Sequence, residues 1–125
     1  MAVVRYLVDD VDKVLPFYRA LGFRLTDRWG QPFAVMKGHG LSIWLSGPGT
    51  SARKRLKSGA DPAPGGWNRL VITVKDIDAT VTKLEALGMN FRARPTSGPG
   101  GQQAVVEDPS GNPIEIFQPK DASGV

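Results

Sequence analysis

The chain has 125 residues, 41% hydrophobic and 22% charged, a composition typical of one globular domain with a buried core. It contains no cysteine, which excludes disulfide bonds, thiolate metal sites and a cysteine nucleophile. The net charge of +4 favours anionic small molecules and, less strongly, nucleic acid as partners, although its plainest consequence is solubility. No apolar run approaches the roughly 20 residues that a spanning helix needs, so we expect a cytoplasmic protein that makes no membrane contact.

The first predicted elements are a strand and a helix. Val3 to Val8 is a short apolar run rich in β-branched residues, which is typical of a strand. Asp10 follows in an Asp-rich turn and is placed to cap a helix whose apolar face carries Val11, Leu15, Tyr18 and Leu21. Gly22 then provides the left-handed conformation in which helices commonly end.

Three more strands follow the helix, at Phe23–Arg28, Pro32–Lys37 and Leu41–Leu45. The only histidine, His39, lies in the turn before the last of them, and we expect it to be solvent-exposed. Residues 47–66 are rich in Gly, Pro, Ser and charge and predict a mobile crossover. Its basic run, residues 53–57, is either a solvated loop or a lid over an anionic ligand. One flexible run without interleaved aromatics does not favour nucleic-acid binding.

The second half of the chain repeats the first. The segment Val8–Asp12 recurs as Val74–Asp78, at a separation of 66 residues (74 − 8), and Gly22 recurs as Gly88 at the same separation. The second strand–helix pair begins with the apolar run Leu70–Val74. Its three further strands are predicted at Asn90–Arg94, Gln102–Glu107 and Pro113–Gln118, with a turn over Thr96–Gly101.

The repeat divides the single domain, residues 1–125, into a first β-α-β-β-β unit (1–46), the crossover (47–66), a second unit (67–119) and a tail (120–125) that we expect to be frayed.

These segments resemble the vicinal oxygen chelate superfamily, which contains glyoxalase I, extradiol dioxygenases, fosfomycin-modifying enzymes and the bleomycin resistance proteins. The resemblance rests on Val8–Asp12, on Phe17–Phe23 and most specifically on the closing segment Glu107–Phe117. It implies an α+β fold in which two tandem units form one eight-stranded cup with helices on the outside. It also implies a homodimer, whose units are either paired within one chain or exchanged between chains.

In metal-dependent members of that superfamily, four inward-pointing side chains hold a divalent metal. The resemblance places these positions at Val3, Ser42, Arg69 and Glu115, with Ser42 matched to Glu115 by aligning Ser42–Trp44 with Glu115–Phe117. Only Glu115 is a good ligand, and Arg69 is permanently cationic. We therefore predict no metal and no other cofactor. In place of the metal, we predict a bidentate pair between Arg69 and Glu115 on the cup floor.

Alternation along the strands indicates the rest of the cup lining. Trp67 and Thr73 share a face with Arg69, and Phe117 shares a face with Glu115, so all three are candidate ligand-binding residues. Five aromatic residues lie on or beside the strands and could stack a flat ligand, although we expect most of them to be core: Trp29, Phe33, Trp44, Trp67 and Phe117.

Two functions remain open at this point. The first is a metal-free binding protein that sequesters a neutral or anionic aromatic compound. The second is a lyase- or dioxygenase-type enzyme. Such an enzyme uses either a metal with Glu115 as ligand, or Glu115 as general base with Arg69 stabilising an enolate or oxyanion. A regulatory protein without a ligand is a third reading. The sequence identifies neither the ligand nor the pathway.

Overall fold

The computed structural model describes residues 1–120 and consists of two β-α-β-β-β units in tandem, as the repeat predicted. The elements in chain order are β1 (Val4–Leu7), α1 (Val11–Ala20), β2 (Arg24–Arg28), β3 (Phe33–Gly38), β4 (Leu41–Ser46), β5 (Leu70–Thr73), α2 (Ile77–Ala86), β6 (Phe91–Gly98), β7 (Gly101–Glu107) and β8 (Pro113–Pro119). We expected the tail, residues 120–125, to be frayed; its residues after Lys120 lie outside the described part of the chain.

The strands form two four-stranded sheets with the same topology. Sheet one has the order β1-β4-β3-β2 and sheet two the order β5-β8-β7-β6. The first and last strands of each unit are parallel, and the other neighbours are antiparallel. This α+β architecture matches the predicted fold and is consistent with a cup.

Both helices begin and end where the sequence indicated. The side chain of Asp10 accepts a hydrogen bond from the N–H of Asp12, and that of Asp76 accepts one from Ala79. After the helices, Gly22 and Gly88 have φ values of 98° and 77°, the left-handed conformation that glycine adopts at little cost. Among the described residues, no helix is both long and apolar enough to cross a membrane.

Each sheet buries one face against the helices. Alternate residues of the central strands point into this core, and Phe17 and Tyr18 fill it from α1. The opposite face of each sheet, called its open face below, carries half-buried and exposed side chains. On β5, for example, Ile72 is buried whereas Val71 and Thr73 are exposed. The period-two alternation therefore separates core residues from candidate ligand-binding residues.

A buried polar network joins the two units. Asp108, only 3% exposed, accepts hydrogen bonds from the Tyr18 hydroxyl (2.7 Å), from two backbone N–H groups of its own turn and from the Asn112 amide. The same amide donates to the carbonyl of Leu7 in the first unit. Burial raises the pKa of Asp108, and the hydrogen bonds from Tyr18, Asn112 and Ser110 oppose that rise. The closing segment of the sequence therefore connects the two units.

The crossover, which we expected to be mobile, makes specific contacts. A short 3-10 helix, Ser51–Arg53, ends at an arginine whose guanidinium donates to the carbonyls of Pro62 and Val8. Arg55 forms an ion pair with Asp61. Two of the cations in the basic run, Arg53 and Arg55, are thus engaged by the crossover and by the first unit, which removes the support for a free basic lid.

One predicted turn is wrong in its extent. The segment Thr96–Gly101 was assigned to a turn because of its Gly and Pro content, but β6 continues to Gly98 and pairs Ser97 with Gln102. The turn itself is confined to Pro99 and Gly100. Cross-strand pairing along the hairpin outweighs the local turn signals here. Gly101 is required, because a Cβ atom there would lie 2.1 Å from the carbonyl oxygen of Gln118.

Candidate functional site

A cavity of about 310 Å³ lies on the open face of sheet one. Val3 and Ser42, two of the residues that the sequence selected, line it. The remaining lining residues come from the same unit: Met1, Asp27, Trp29, Phe33, Val35, Lys37 and Trp44. The cavity is largely apolar, with one acidic and one basic side chain, a composition typical of small-molecule sites.

Three aromatic side chains cross this face from strand to strand. The rings of Trp44 and Phe33 are 5.9 Å apart and nearly perpendicular, and those of Phe33 and Trp29 are 5.8 Å apart with 46° between their planes. We call Trp29, Phe33 and Trp44 the aromatic row. The expectation that most of the aromatic residues are core is wrong: none of the five belongs to the buried core, and Trp29 is 72% exposed. Alternation along β3 and β4 gives the core positions to Ala34, Met36 and Ile43 instead.

Arg5 ends the aromatic row at the boundary between the units. Its guanidinium carbon lies 5.2 Å from the ring centroid of Trp44, and its Nη1 donates to the hydroxyl of Ser46 at 3.0 Å. Ser46 is fully buried, so it holds the arginine from below. Sequence reasoning missed Arg5 as a site residue. The alternation that places Val3 on the open face also places Arg5 there, so the signal was present.

Arg69 and Glu115 form an ion pair on the open face of sheet two, as predicted. Arg69 Nη2 and Nε lie 2.9 and 3.1 Å from Glu115 Oε1, and the two side chains are 27% and 14% exposed. The geometry differs from the expected bidentate arrangement, because both N–H groups donate to one oxygen. The pair fixes a carboxylate beside a guanidinium on a half-buried surface, where it can bind polar groups of a ligand.

The other residues selected on sheet two are arranged around this pair. Thr73 is the strand partner of Phe117, so these two side chains lie side by side on the open face. Trp67 is 72% exposed and its indole packs on the guanidinium of Arg92, at 4.5 Å from the ring centroid. Arg92 is itself held by an ion pair with Glu107. Trp67 therefore lies against the edge of sheet two.

The four positions taken from the resemblance are divided between separate spaces. Val3 and Ser42 line the cavity on sheet one, whereas Arg69 lines a separate groove of about 390 Å³ between the units. This groove, called the seam groove below, is lined by Val4–Leu7, Ala63–Gly65, Asn68–Leu70 and Asn112–Pro113. Of the four positions, Val3 and Ser42 lie on sheet one and Arg69 and Glu115 on sheet two, and we call these two pairs the half-sites.

The strand register gives a different equivalence from the one drawn from the sequence. Arg5 pairs with Trp44 in the first unit, and Val71, its counterpart 66 residues later (71 − 5), pairs with Glu115 in the second. Trp44 is therefore the structural counterpart of Glu115. Ser42 lies two residues earlier on the same face. The two-residue difference preserves the alternation, which is why the sequence pattern did not reveal it.

The residues at these positions do not fit a divalent metal. Val3 and Arg69 are not metal ligands, and the third position is Ser42 by the sequence alignment or Trp44 by the strand register. The one carboxylate, Glu115, already accepts two hydrogen bonds from the Arg69 guanidinium. Within residues 1–120 no cluster of three or more His, Cys, Asp or Glu residues is suited to a metal. His39 occupies its predicted turn, with a φ of 53°, and its Nε2 lies 2.6 Å from the carbonyl oxygen of Leu21 at the end of α1. It caps a helix.

Comparison with known proteins identifies relatives of several functions. The family model described as Glyoxalase/Bleomycin resistance protein/Dioxygenase superfamily matches residues 1–116. A lactoylglutathione lyase of Pseudomonas putida is 30% identical over 141 aligned positions, covering 90% of this chain and 80% of that protein. TnmS3, an antibiotic binding protein from Streptomyces sp. CB03234, is 27% identical with a TM-score of 0.67, covering 96% of this chain and 97% of its own. A lactoylglutathione lyase from Agrobacterium tumefaciens shares the fold, with a TM-score of 0.69 at 22% identity, and covers 94% of this chain and 92% of its own.

Proposed function

The chain belongs to the glyoxalase/bleomycin resistance protein/dioxygenase superfamily, and from that premise we propose that it binds a flat, neutral or anionic small molecule on the aromatic row. The observation that carries this proposal is the row itself, three aromatic side chains that line one open cavity instead of the core. The cavity volume, about 310 Å³, falls within the roughly 300–1,000 Å³ of typical ligand sites. The antibiotic binding relative TnmS3 supports the same function.

In this proposal the chain binds its ligand without a metal or other cofactor. Arg69 and Glu115 take the place of a metal site: the guanidinium offers hydrogen-bond donors and the carboxylate offers acceptors to a polar ligand group. Val3 and Ser42 contact the ligand from sheet one. Thr73 and Phe117 contact it from sheet two, and Trp67 forms the rim.

The two half-sites support a homodimer as the complete binding unit. The open faces of a single chain expose Trp29, Trp67 and Val71, at 72%, 72% and 52% of their surface, and large exposed apolar side chains of this kind favour a covering partner. In the proposed dimer the open face of sheet two from one protomer covers the cavity on sheet one of its partner. Both protomers would then contribute residues to the site. We further propose that this dimer is cytoplasmic.

A second candidate function is a metal-independent lyase-type enzyme, and Glu115 favours it. Its carboxylate is only 14% exposed and is fixed beside a cation, an arrangement that suits proton abstraction next to a carbonyl with Arg69 stabilising the resulting oxyanion. The similarity to a lactoylglutathione lyase points the same way. Replacing Glu115 by Gln separates the candidates, because binding on the aromatic row would survive whereas base catalysis would not.

Ligand titration of matched variants tests the proposed site. Trp44→Leu removes an aromatic from the row, and Trp67→Leu removes one from the rim, so each variant loses one exposed or half-buried indole. We expect Trp44→Leu to weaken the binding of flat aromatic compounds about two- to tenfold, the loss of one aromatic contact, and Trp67→Leu to have a smaller effect. If the wild type, Trp44→Leu and Trp67→Leu bound the compounds with equal affinity, the placement of the ligand on the aromatic row would be overturned.

Metal analysis complements the titration. Protein dialysed against a mixture of divalent metals and then freed of unbound ions is expected to retain less than a stoichiometric amount. A stoichiometric metal that raises the affinity for the ligand would contradict the metal-free proposal and favour the enzyme.

A further inference from the structure

The end of the aromatic row carries an uncompensated positive charge. Arg5 is exposed and, within residues 1–120, forms none of the six ion pairs. Of the other cations near the two half-sites, Arg69 is paired with Glu115, and Lys37 shares its cavity with the carboxylate of Asp27 without forming an ion pair with it. Arg5 therefore places at the end of the row a positive charge that no ion pair offsets.

Arg5 is also held in a defined orientation. Its guanidinium lies over one face of the Trp44 ring, and one N–H is used by the buried hydroxyl of Ser46. A guanidinium has five N–H donors in a planar fork, so most of them stay free for another acceptor. Because the side chain is already anchored, little rotamer freedom is lost when it binds a carboxylate.

Free space adjoins this arginine. Arg5 lines the seam groove of about 390 Å³ and Trp44 lines the cavity on sheet one, so each of these two contacting residues borders one of the two spaces. The groove wall also contains Asn68, which is exposed, whereas the amide of Asn112 is already engaged with Asp108, with the Leu7 carbonyl and with the Gly65 N–H. Arg5 is thus the charged group where the seam groove meets the end of the aromatic row.

We infer that the ligand is an aromatic carboxylate, whose ring system lies on the aromatic row and whose carboxylate binds Arg5 at the entrance to the seam groove. This inference rests on the proposed function and adds to it the chemical class of the ligand and the residue that selects it. Arg5 selects anions over neutral and cationic compounds of the same shape. The aromatic row sets the preference for flat rings.

The test compares each acid with its primary carboxamide, which has nearly the same shape and no charge. Calorimetric titrations use 2-naphthoate and anthracene-9-carboxylate against the two amides. For the wild-type protein we expect the acid to bind about five- to thirtyfold more tightly than the amide, the effect of a partly solvated charge-assisted contact. This preference should fall as ionic strength is raised.

Two variants assign that preference to a residue. Arg5→Met keeps an unbranched side chain over Trp44 and is expected to abolish the preference for the acid while still binding both compounds. Arg55→Met, which removes an exposed arginine of the crossover, is expected to retain it and controls for the change in net charge. Arg5→Lys, which keeps the charge without the planar fork, should retain part of the preference.

The outcomes distinguish a failure of this inference from a failure of the proposed function on which it rests. Binding of acid and amide with equal affinity by the wild-type protein would overturn the inference and leave the proposed function intact, and this comparison needs no variant to fold. A preference that persists in Arg5→Met, or that disappears in Arg55→Met as well, would also overturn it. If neither acid nor amide binds the wild-type protein, the aromatic row is not a binding site for flat rings and both proposals fail.

Discussion

The hydrogen bond between Tyr18 and Asp108 predicts how the two units depend on each other. Replacing Tyr18 by Phe removes a hydroxyl that donates to Asp108 Oδ2 at 2.7 Å, at a site where both side chains are almost fully buried. Hydrogen bonds to charged groups contribute roughly 1.5–3 kcal/mol, so the free energy of unfolding at neutral pH should fall by about 2 kcal/mol. Urea unfolding followed by tryptophan fluorescence measures this difference.

The effect of this substitution should depend on pH. Burial raises the pKa of Asp108 in the folded state, so the stability that its protonation provides is complete below the unfolded pKa of 3.8 and is lost as pH rises through the folded pKa. The Tyr18 hydroxyl opposes this loss, because its hydrogen bond lowers the pKa of Asp108. The stability difference between wild type and Tyr18→Phe should therefore be smallest near pH 3.8 and widen as pH rises, reaching its full value at neutral pH.

Tyr6→Phe is the matched control for this experiment. The Tyr6 hydroxyl also connects the units, but its partners are the backbone N–H of Leu70 and the carbonyl of Pro113. Its removal should reduce stability by about 1 kcal/mol, with a much weaker dependence on pH. A pH-independent difference for Tyr18→Phe, or one below about 0.5 kcal/mol at neutral pH, would refute the assignment of the network as the connection between the units.

Three further predictions concern stability. Gly101→Ala should destabilise the protein by more than about 2 kcal/mol, because its Cβ atom would clash with the backbone of Gln118; a cost below about 0.5 kcal/mol in denaturant titration would contradict the close approach. His39→Ala should lower the free energy of unfolding by roughly 0.5–1 kcal/mol through loss of the bond to the Leu21 carbonyl, and His39→Gln should recover part of that loss if the contact is a hydrogen bond. Arg92→Met removes one ion pair and two bonds to backbone carbonyls, including that of Gly66. It should speed proteolysis at the end of the crossover at least several-fold, and an unchanged cleavage rate would show that these bonds do not anchor it.

Much of the fold could be predicted because the sequence contains it twice. The recurrence of one segment at a fixed separation located both strand–helix pairs, and local chemistry placed the caps at Asp10 and Asp76 and the stops at Gly22 and Gly88. These features depend on neighbours within a few residues along the chain. Local sequence is sufficient for them.

The site was less predictable because it depends on which face of a strand is covered. The ligand positions supplied by the family resemblance predicted the contact between Arg69 and Glu115, and alternation placed Thr73 and Phe117 on the same face. Alternation could not reveal that the aromatic row lies on an open face, because an alternating strand has the same pattern whichever face is buried. Alternation from Val3 also places Arg5 on this face, but the contact that anchors it on Trp44 depends on the strand register, which is a tertiary property.

The buried network shows a different limit. Asp108 was interpreted as turn chemistry, and its side chain does accept the N–H groups of Ser110 and Asn112 within that turn. Its contact with Tyr18 spans 90 residues, and no local pattern indicates a bond at that separation. The closing segment is thus both a local turn and a long-range connection.

The most direct test of the account uses the three tryptophans of the chain as reporters of ligand position. Their indole N–H signals are followed by NMR while 2-naphthoate is added to the protein, with assignments from single Trp→Phe variants. If the ligand lies on the aromatic row, the signals of Trp29 and Trp44 will shift in a saturable way with one common affinity, and the signal of Trp67 will shift less. Saturable shifts confined to Trp67, or none at all, would contradict a ligand site on the aromatic row.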